Sequence, residues 1–206
     1  MNSLFKGPFY DQLLNQPPLR SATYFKHGSS TMLFIEDDRL YRLTRQGCGH
    51  SFISQQSALG NPHVPRVIQD FGPVAPSDEG EGEFYWLAEI EWLQDLDTTH
   101  PQTQSLNAII TDLTDDEPQL YGADLENFAY RCSALAEKRT DLHGLLSTLM
   151  AASAFARAHQ AMADIKLDNI MLRAASNELV VADPICDHFF EISDAQRAQM
   201  LMRISG

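Results

Sequence analysis

The stretch that decides the fold is Asp164-Ile165-Lys166-Leu167-Asp168-Asn169-Ile170-Met171-Leu172, and a further acid, Asp183, follows at the end of an apolar run. Between these acids the sequence predicts a β-hairpin: Ile170-Met171-Leu172, a polar turn over residues 174–178, and Leu179-Val180-Val181. Because a hairpin returns the chain to its start, we expect Asp183 to lie beside Asn169.

These polar side chains suit the transfer of a phosphoryl group. Such a transfer needs a carboxylate to hold the attacking hydroxyl, a cation against the developing charge, and oxygen ligands for Mg²⁺. Asp164 can supply the catalytic carboxylate and Lys166 the cation, while Asn169 and Asp183 can bind the metal. The alternative is that Asp164, Asp168 and Asn169 form only a solvated, turn-forming cluster.

The segment from Asp164 to Asn169 resembles the D-x-K-x-x-N catalytic loop of protein kinases, and Ala182-Asp183-Pro184 resembles their metal-binding D-F-G position. The sequence looks most similar to small kinase-like proteins of bacteria and bacteriophages. The resemblance implies an α+β, minimal bilobal kinase-like fold. Residues 1–20 would form an N-terminal extension, residues 21–92 an N-lobe with a small antiparallel sheet and one helix, and residues 93–206 a reduced helical C-lobe.

Composition limits the partners of this chain. Its 206 residues are 44% hydrophobic, which is enough to bury a sizeable core. The net charge of −13 argues against nucleic acid or an anionic membrane as a general partner. Arg42, Lys166 and Arg173 can still hold phosphates locally.

Cysteine usage and hydropathy predict the compartment. Cys48, Cys132 and Cys186 are scattered and odd in number, which favours a reducing environment over a disulfide framework. No apolar run approaches the roughly 18 residues of a membrane span. We therefore expect a cytoplasmic monomer, which in the effector type of the family is delivered into a host cell.

The N-terminal half predicts three strands, at residues 23–25, 31–35 and 40–44. In the kinase-like family the loop between the first two covers the nucleotide phosphates, so the resemblance assigns Gly28, Ser29 and Ser30 to the nucleotide site. A lone glycine between strands is also compatible with a plain hairpin turn.

The third strand departs from the family. The family lysine that holds the nucleotide phosphates is replaced by Arg42, and the following segment, residues 51–59, contains no acid to pair with it. Arginine can also bind phosphate oxygens, but its geometry differs from that of lysine. The alternative is that Arg42 is an ordinary exposed strand residue.

The remaining elements are predicted by pattern. Glu91 to Leu93 fit the family's connector, whose backbone groups bind adenine, so Glu91 and Leu93 are assigned to the nucleotide site. Residues 142–159 have the apolar spacing of a buried helix, and residues 73–82 read as a flexible loop. Ser193-Asp194-Ala195-Gln196 predicts a capping box, with Ala198, Leu201 and Ile204 on one side of a final helix.

Three functions are compatible with this pattern. The first is a small atypical Mg-ATP-dependent protein serine/threonine kinase that acts on host or partner proteins. The second is a small-molecule phosphotransferase of the antibiotic-kinase type, in which residues 95–141 would be an insert that encloses the substrate. The third is a pseudokinase that binds nucleotide and serves as an interaction module.

Overall fold

The computed structural model describes residues 5–187 and 189–205, and it confirms the predicted α+β class. The strands are β1 (Thr23–His27), β2 (Thr31–Glu36), β3 (Arg39–Thr44), β4 (Val67–Pro76), β5 (Phe84–Ile90), β6 (Gln94–Asp95), β7 (Gln119–Leu120), β8 (Met162–Asp164), β9 (Ile170–Arg173), β10 (Glu178–Val181) and β11 (Ile185–Cys186). The helices are α1 (Pro8–Leu14), α2 (Gly47–Ala58), α3 (Pro101–Thr114), α4 (Ala123–Ala136), α5 (His143–Ala158) and α6 (Asp194–Ser205). Short 3₁₀ turns lie at Thr140–Leu142 and Leu167–Asn169.

The chain divides into two compact units. The first comprises the described parts of residues 1–50, 67–91 and 187–206, and the second comprises residues 51–66 and 92–186. This division differs from the predicted one, because α1 and α6 belong to the first unit and residues 51–66 belong to the second. Helix α1 buries Tyr10 and Leu13 in the core of that unit, so it is more than an extension.

The first unit is built on a five-stranded antiparallel sheet in the order β1-β2-β3-β5-β4. Alternate side chains of β3 pack on opposite faces of the sheet, as its central position requires. Tyr41 and Leu43 join one buried cluster, and Leu40 joins another with Ala88 and Ile90. Both faces of β3 are therefore covered. This confirms the three predicted N-terminal strands, each extended by one or two residues.

Strand β4 is longer than the sequence indicated. Residues 73–76, predicted as part of a flexible loop, continue the strand and pair with β5 through irregular register. The physical reason is burial, because Val74 and Ala75 are fully buried in the sheet core. The loop between the two strands is thus limited to residues 77–83.

The second unit places helices beside two small sheets, β10-β9-β6 and β11-β8-β7. The predicted central helix is present as α5, and its apolar spacing buries Leu145, Leu149 and Ala152. Helix α4 packs alongside it, and the hydroxyl of Ser153 donates a hydrogen bond of 2.6 Å to the carbonyl of Leu125.

Helix α6 begins with the predicted capping box. The backbone N–H of Ser193 donates to Gln196 Oε1 at 2.9 Å, and the N–H of Gln196 donates to Ser193 Oγ at 3.3 Å. Of the three residues predicted to line one side of this helix, Ile204 is partly buried against the core of the first unit, whereas Ala198 and Leu201 are exposed and Met200 is buried.

No helix within residues 5–187 and 189–205 is long and apolar enough to cross a membrane. The three cysteines, which all lie in the described part of the chain, are free thiols.

Candidate active site

Strand β8 delivers Asp164 to the site and fixes its backbone from both sides. Its N–H donates to the carbonyl of Pro184 at 2.9 Å, next to β11. On the other side Gln119 of β7 pairs with Asp164, and the N–H of Ile165 donates to the carbonyl of Pro118 at 2.7 Å. Asp164 thus lies at the end of the central strand of a small sheet.

The side chains of Lys166 and Asn169 converge on one oxygen of Asp164. Lys166 Nζ donates to Oδ2 at 2.7 Å, and Asn169 Nδ2 donates to the same oxygen at 3.0 Å and to the Asp164 carbonyl at 2.8 Å. The other oxygen, Oδ1, is buried and has no hydrogen-bond partner among the described residues. Two donors therefore orient the carboxylate, and both of them bind Oδ2.

The predicted hairpin brings Asp183 back to the start of β9. Strands β9 and β10 pair in register from Arg173 with Glu178 to Ile170 with Val181. Beyond that last pair, the N–H of Ala182 donates to the carbonyl of Asn169 at 2.8 Å. Since Asp183 follows Ala182 directly, the hairpin places it next to Asn169, as the sequence predicted.

The pKa of Lys166 reflects the carboxylates that surround it. Burial by itself would lower the pKa of Lys166, but the hydrogen bond to Asp164 and the charges of Asp164, Asp168 and Asp183 outweigh it, so the pKa is raised. Lys166 therefore stays protonated at neutral pH. It is a fixed cation facing three carboxylates.

The donor set fits Mg²⁺ bound together with phosphate. The Nδ2 of Asn169 donates to Asp164, so the amide oxygen of Asn169 is left as a candidate metal ligand, together with the carboxylate of Asp183. The described residues contain no group of three or more His, Cys, Asp or Glu that could hold a metal alone. Mg²⁺ usually binds through one or two protein oxygens plus substrate phosphates and water, and this set matches that habit.

The three residues assigned to the phosphate-covering loop lie between β1 and β2 in the first unit. Gly28 and Ser29 are exposed, and Ser30 is buried because its carbonyl accepts from the N–H of Arg45 and the hydroxyl of Thr44. The N–H of Gly28 closes the turn onto the carbonyl of Thr31 at 2.9 Å. These contacts describe a tight hairpin, and a nucleotide contact at this loop stays a prediction.

Arg42 and Arg45 are both buried, at 5% and 4% exposure. The alternative of an exposed strand arginine at Arg42 is therefore wrong. Arg42 stands between Leu33 and Ala88 in the sheet, whereas Arg45 forms an ion pair of 2.5 Å with Glu83. The partner of Arg45 is thus a protein carboxylate.

The connector residues Glu91 and Leu93 are half-buried and lie between β5 and β6 without regular structure. Trp92 between them is 45% exposed. Their assignment to the nucleotide site stays a prediction.

The sequence analysis missed a polar pair in the first unit. Helix α2 starts directly after β3 and buries His50, whose Nε2 lies 2.9 Å from Asp70 Oδ1 on β4. The close start is possible because Gly47 has no side chain: a Cβ there would lie 2.9 Å from Trp86 Nε1. In the sequence, the available signal for this pair was Gly47 and His50, which follow the predicted strand at residues 40–44.

Arg173 has a structural role, which corrects the expectation that it could hold phosphate. Its guanidinium is buried and donates to Glu178 at 2.7 Å and to the carbonyls of Pro62 and Val64. Both terminal nitrogens are thus used by the protein.

With the site described, the chain was compared with known proteins. No protein-family model matches it, and no curated protein sequence matches it.

Proposed function

We propose that the chain is a Mg-ATP-dependent phosphotransferase, specifically a small atypical protein serine/threonine kinase that acts on a host or partner protein. The observation that carries the proposal is the carboxylate of Asp164. Its Oδ2 is held by Lys166 and Asn169, while its buried Oδ1 has no partner among the described residues. A carboxylate oriented by two donors suits a group that takes a proton from a bound hydroxyl.

The proposed step uses the residues of this loop in distinct roles. The substrate hydroxyl donates its proton to the carboxylate of Asp164 while its oxygen forms a bond to the γ-phosphorus of ATP. The bond between that phosphorus and the β,γ-bridging oxygen breaks, and ADP leaves with the bond electrons. Lys166, which is cationic at neutral pH, stabilises the negative charge that develops on the transferred group.

Asn169 and Asp183 would hold Mg²⁺. When bound, the ion neutralises charge on the nucleotide phosphates. The assignments of Arg42, Gly28, Ser29, Ser30, Glu91 and Leu93 to nucleotide binding belong to the same proposal.

A second candidate is a phosphotransferase for a small molecule. The observation that favours it is that the region predicted as a substrate-enclosing insert is folded, with α3 and α4 occupying most of residues 95–141. A third candidate, nucleotide binding without turnover, is favoured by the absence of a lysine from β3.

The test is incubation of the full chain with γ-labelled ATP and Mg²⁺, with and without a host-cell lysate. A labelled protein band that requires the chain supports the first proposal, and label in a small molecule supports the second. No transfer to either, with ATP binding retained, supports the third. The Asp164→Asn variant serves as the negative control, and Asp168→Asn serves as a matched variant from the same loop.

A further inference from the structure

Arg42 is a buried cation whose direct neighbours in the sheet are uncharged. It is 5% exposed, and the residues directly opposite it are Leu33 on β2 and Ala88 on β5. A guanidinium keeps its charge at any pH at which a protein is folded, and a buried charge is stable only beside a group of opposite sign. Leu33 and Ala88 cannot supply that group.

The strand register places an acid, Asp70, in line with Arg42. Ala88 of β5 pairs with Arg42 on one side and with Asp70 of β4 on the other. Residues directly opposite each other in antiparallel strands share a face of the sheet, and neighbouring strands lie about 4.8 Å apart. The backbones of Arg42 and Asp70 are thus about 10 Å apart, and the small side chain of Ala88 between them leaves room for the long side chain of Arg42.

Helix α2 adds His50 to the same cluster. The Nε2 atom of His50 lies 2.9 Å from Asp70 Oδ1. Burial lowers the pKa of His50, the hydrogen bond and charge of Asp70 raise it, and the charge of Arg42 lowers it. The net shift is downward, so His50 is neutral at pH 7 and donates its Nε2–H to Asp70. Both charges thus act on one imidazole, which links the three side chains.

We propose that Asp70 is a positioning residue, which together with His50 holds the guanidinium of Arg42 toward the nucleotide phosphates. Asp70 thus takes the place of the acid that residues 51–59 lack. In the kinase-like family that acid comes from the segment after the third strand, whereas here it stands on β4. The inference rests on the proposed function, because it assumes that Arg42 binds phosphate.

The first test is the titration of His50, which needs no nucleotide. The Cε1–H signal of His50 in the full chain is followed by NMR against pH and is assigned by its loss in His50→Gln. In Arg42→Gln the pKa of His50 should rise, because the charge of Arg42 lowers it in the parent chain. In Asp70→Asn it should fall. A pKa of His50 that is unchanged in Arg42→Gln would overturn the proposal.

The second test is a double-mutant cycle that asks whether Asp70 acts through Arg42. Binding of Mg-ATP is measured by calorimetry for the parent chain, Asp70→Asn, Arg42→Ala and the double variant. Asparagine keeps an oxygen that can accept from His50 and from the N–H of Gly72, so the change removes mainly the charge.

We expect Asp70→Asn to weaken Mg-ATP binding by about three- to tenfold, since 39% of the Asp70 side chain is exposed and solvent screens its charge. In the Arg42→Ala background the same change should have less than about a twofold effect, as is typical of side chains in one network. Equal losses with and without Arg42 would mean that Asp70 only supports the fold, and the proposal would be wrong.

Asp78→Asn is the matched control, because Asp78 is another carboxylate of the first unit that accepts backbone N–H groups, from Phe9 and Tyr10. It should lower Tm and leave the Kd of Mg-ATP unchanged; a loss of binding as large as in Asp70→Asn would count against the proposal. If the parent chain does not bind Mg-ATP, or if Arg42→Ala binds it as tightly, the proposed function fails at this residue and the inference fails with it. Binding that depends on Arg42 but not on Asp70 refutes the inference alone.

Discussion

Replacing Asp164 with asparagine tests the proposed chemistry with little change of shape. Asparagine can keep an oxygen facing Lys166 and Asn169, in which case its amide nitrogen takes the place of Oδ1 and cannot accept a proton. If the amide is turned the other way, the oxygen at Oδ1 is only weakly basic and the two donors lose their acceptor. In both orientations the base is lost, so we expect the rate of phosphoryl transfer to fall by about 10²–10⁴.

The expected loss of activity exceeds the expected loss of stability. A fall of 10²–10⁴ corresponds to about 2.7–5.4 kcal/mol of barrier, at roughly 1.36 kcal/mol per factor of ten. The ion pair that the variant removes involves Lys166, whose side chain is 42% exposed, so screening limits its contribution to about 1 kcal/mol or less. The variant should therefore stay folded while its turnover collapses.

The assay is steady-state kinetics with labelled ATP, together with thermal unfolding of the same samples. Asp168→Asn is the matched control, because Asp168 is an exposed acid in the neighbouring 3₁₀ turn Leu167–Asn169 and acts on Lys166 through its charge. Its turnover should stay within a few-fold of the parent chain. Equal losses in the two variants, or unchanged turnover in Asp164→Asn, would refute the assignment of the base.

Three further predictions concern other groups. Asp183→Asn should weaken binding of Mg-ATP far more than binding of metal-free ATP, because it removes a charged oxygen ligand; equal losses in calorimetry would contradict a metal role. Arg42→Ala should strongly raise the nucleotide KM or lower kcat, and Arg42→Lys should keep partial activity. Arg45→Ala should instead lower the free energy of unfolding by about 3–5 kcal/mol, because it leaves Glu83 unpaired. If Arg45→Ala lost nucleotide binding while its Tm stayed unchanged, Arg45 and not Arg42 would be the phosphate-binding residue. Burial lowers the pKa of His50 below its usual 6.5, so the unfolded chain binds the proton more readily than the folded chain. The free energy of unfolding should therefore fall as the pH drops below about 6.5. If a His50→Gln variant showed the same slope of unfolding free energy between pH 7 and 5.5, this prediction would be wrong.

The sequence predicted the elements that depend on local pattern. The β9–β10 hairpin was found within one residue of its predicted strands, because apolar runs and a polar turn lie next to each other in the chain. The capping box at Ser193 was found for the same reason, since its two hydrogen bonds join residues three positions apart. Local chemistry therefore fixed both the start of α6 and the return of Asp183 to Asn169.

Contacts between distant residues could not be predicted in this way. Gln12 in α1 and Gln16 just after it donate to the carbonyls of Ile204 and Arg203 at the end of α6, and nothing near either glutamine indicates such a partner. The pairing of β7 with β8 beside Asp164 was missed too, since Gln119-Leu120 is too short to show a period. A strand of two residues can be recognised only from the strand with which it pairs.

The packing of α6 shows what a pattern of apolar residues leaves out. The guanidinium of Arg203 lies 5.3 Å from the ring centre of Phe71, and burial lowers its pKa. The helix therefore packs through a charged side chain together with Met200, while Leu201 faces away. Because arginine can bury its stem and stack its head on an aromatic ring, a pattern that counts only apolar residues does not predict this contact.

The chemistry of Asp164 depends on a distinction that no spacing contains. The interval between Asp164, Lys166 and Asn169 predicts that their side chains meet, but it treats the two carboxylate oxygens as equivalent. In the folded chain they differ, because Asn169 binds both the carbonyl and Oδ2 of Asp164 and so fixes the rotation of the carboxylate. In the proposed mechanism Asn169 would therefore have two roles, to hold the orientation of the Asp164 carboxylate and to offer an oxygen to Mg²⁺.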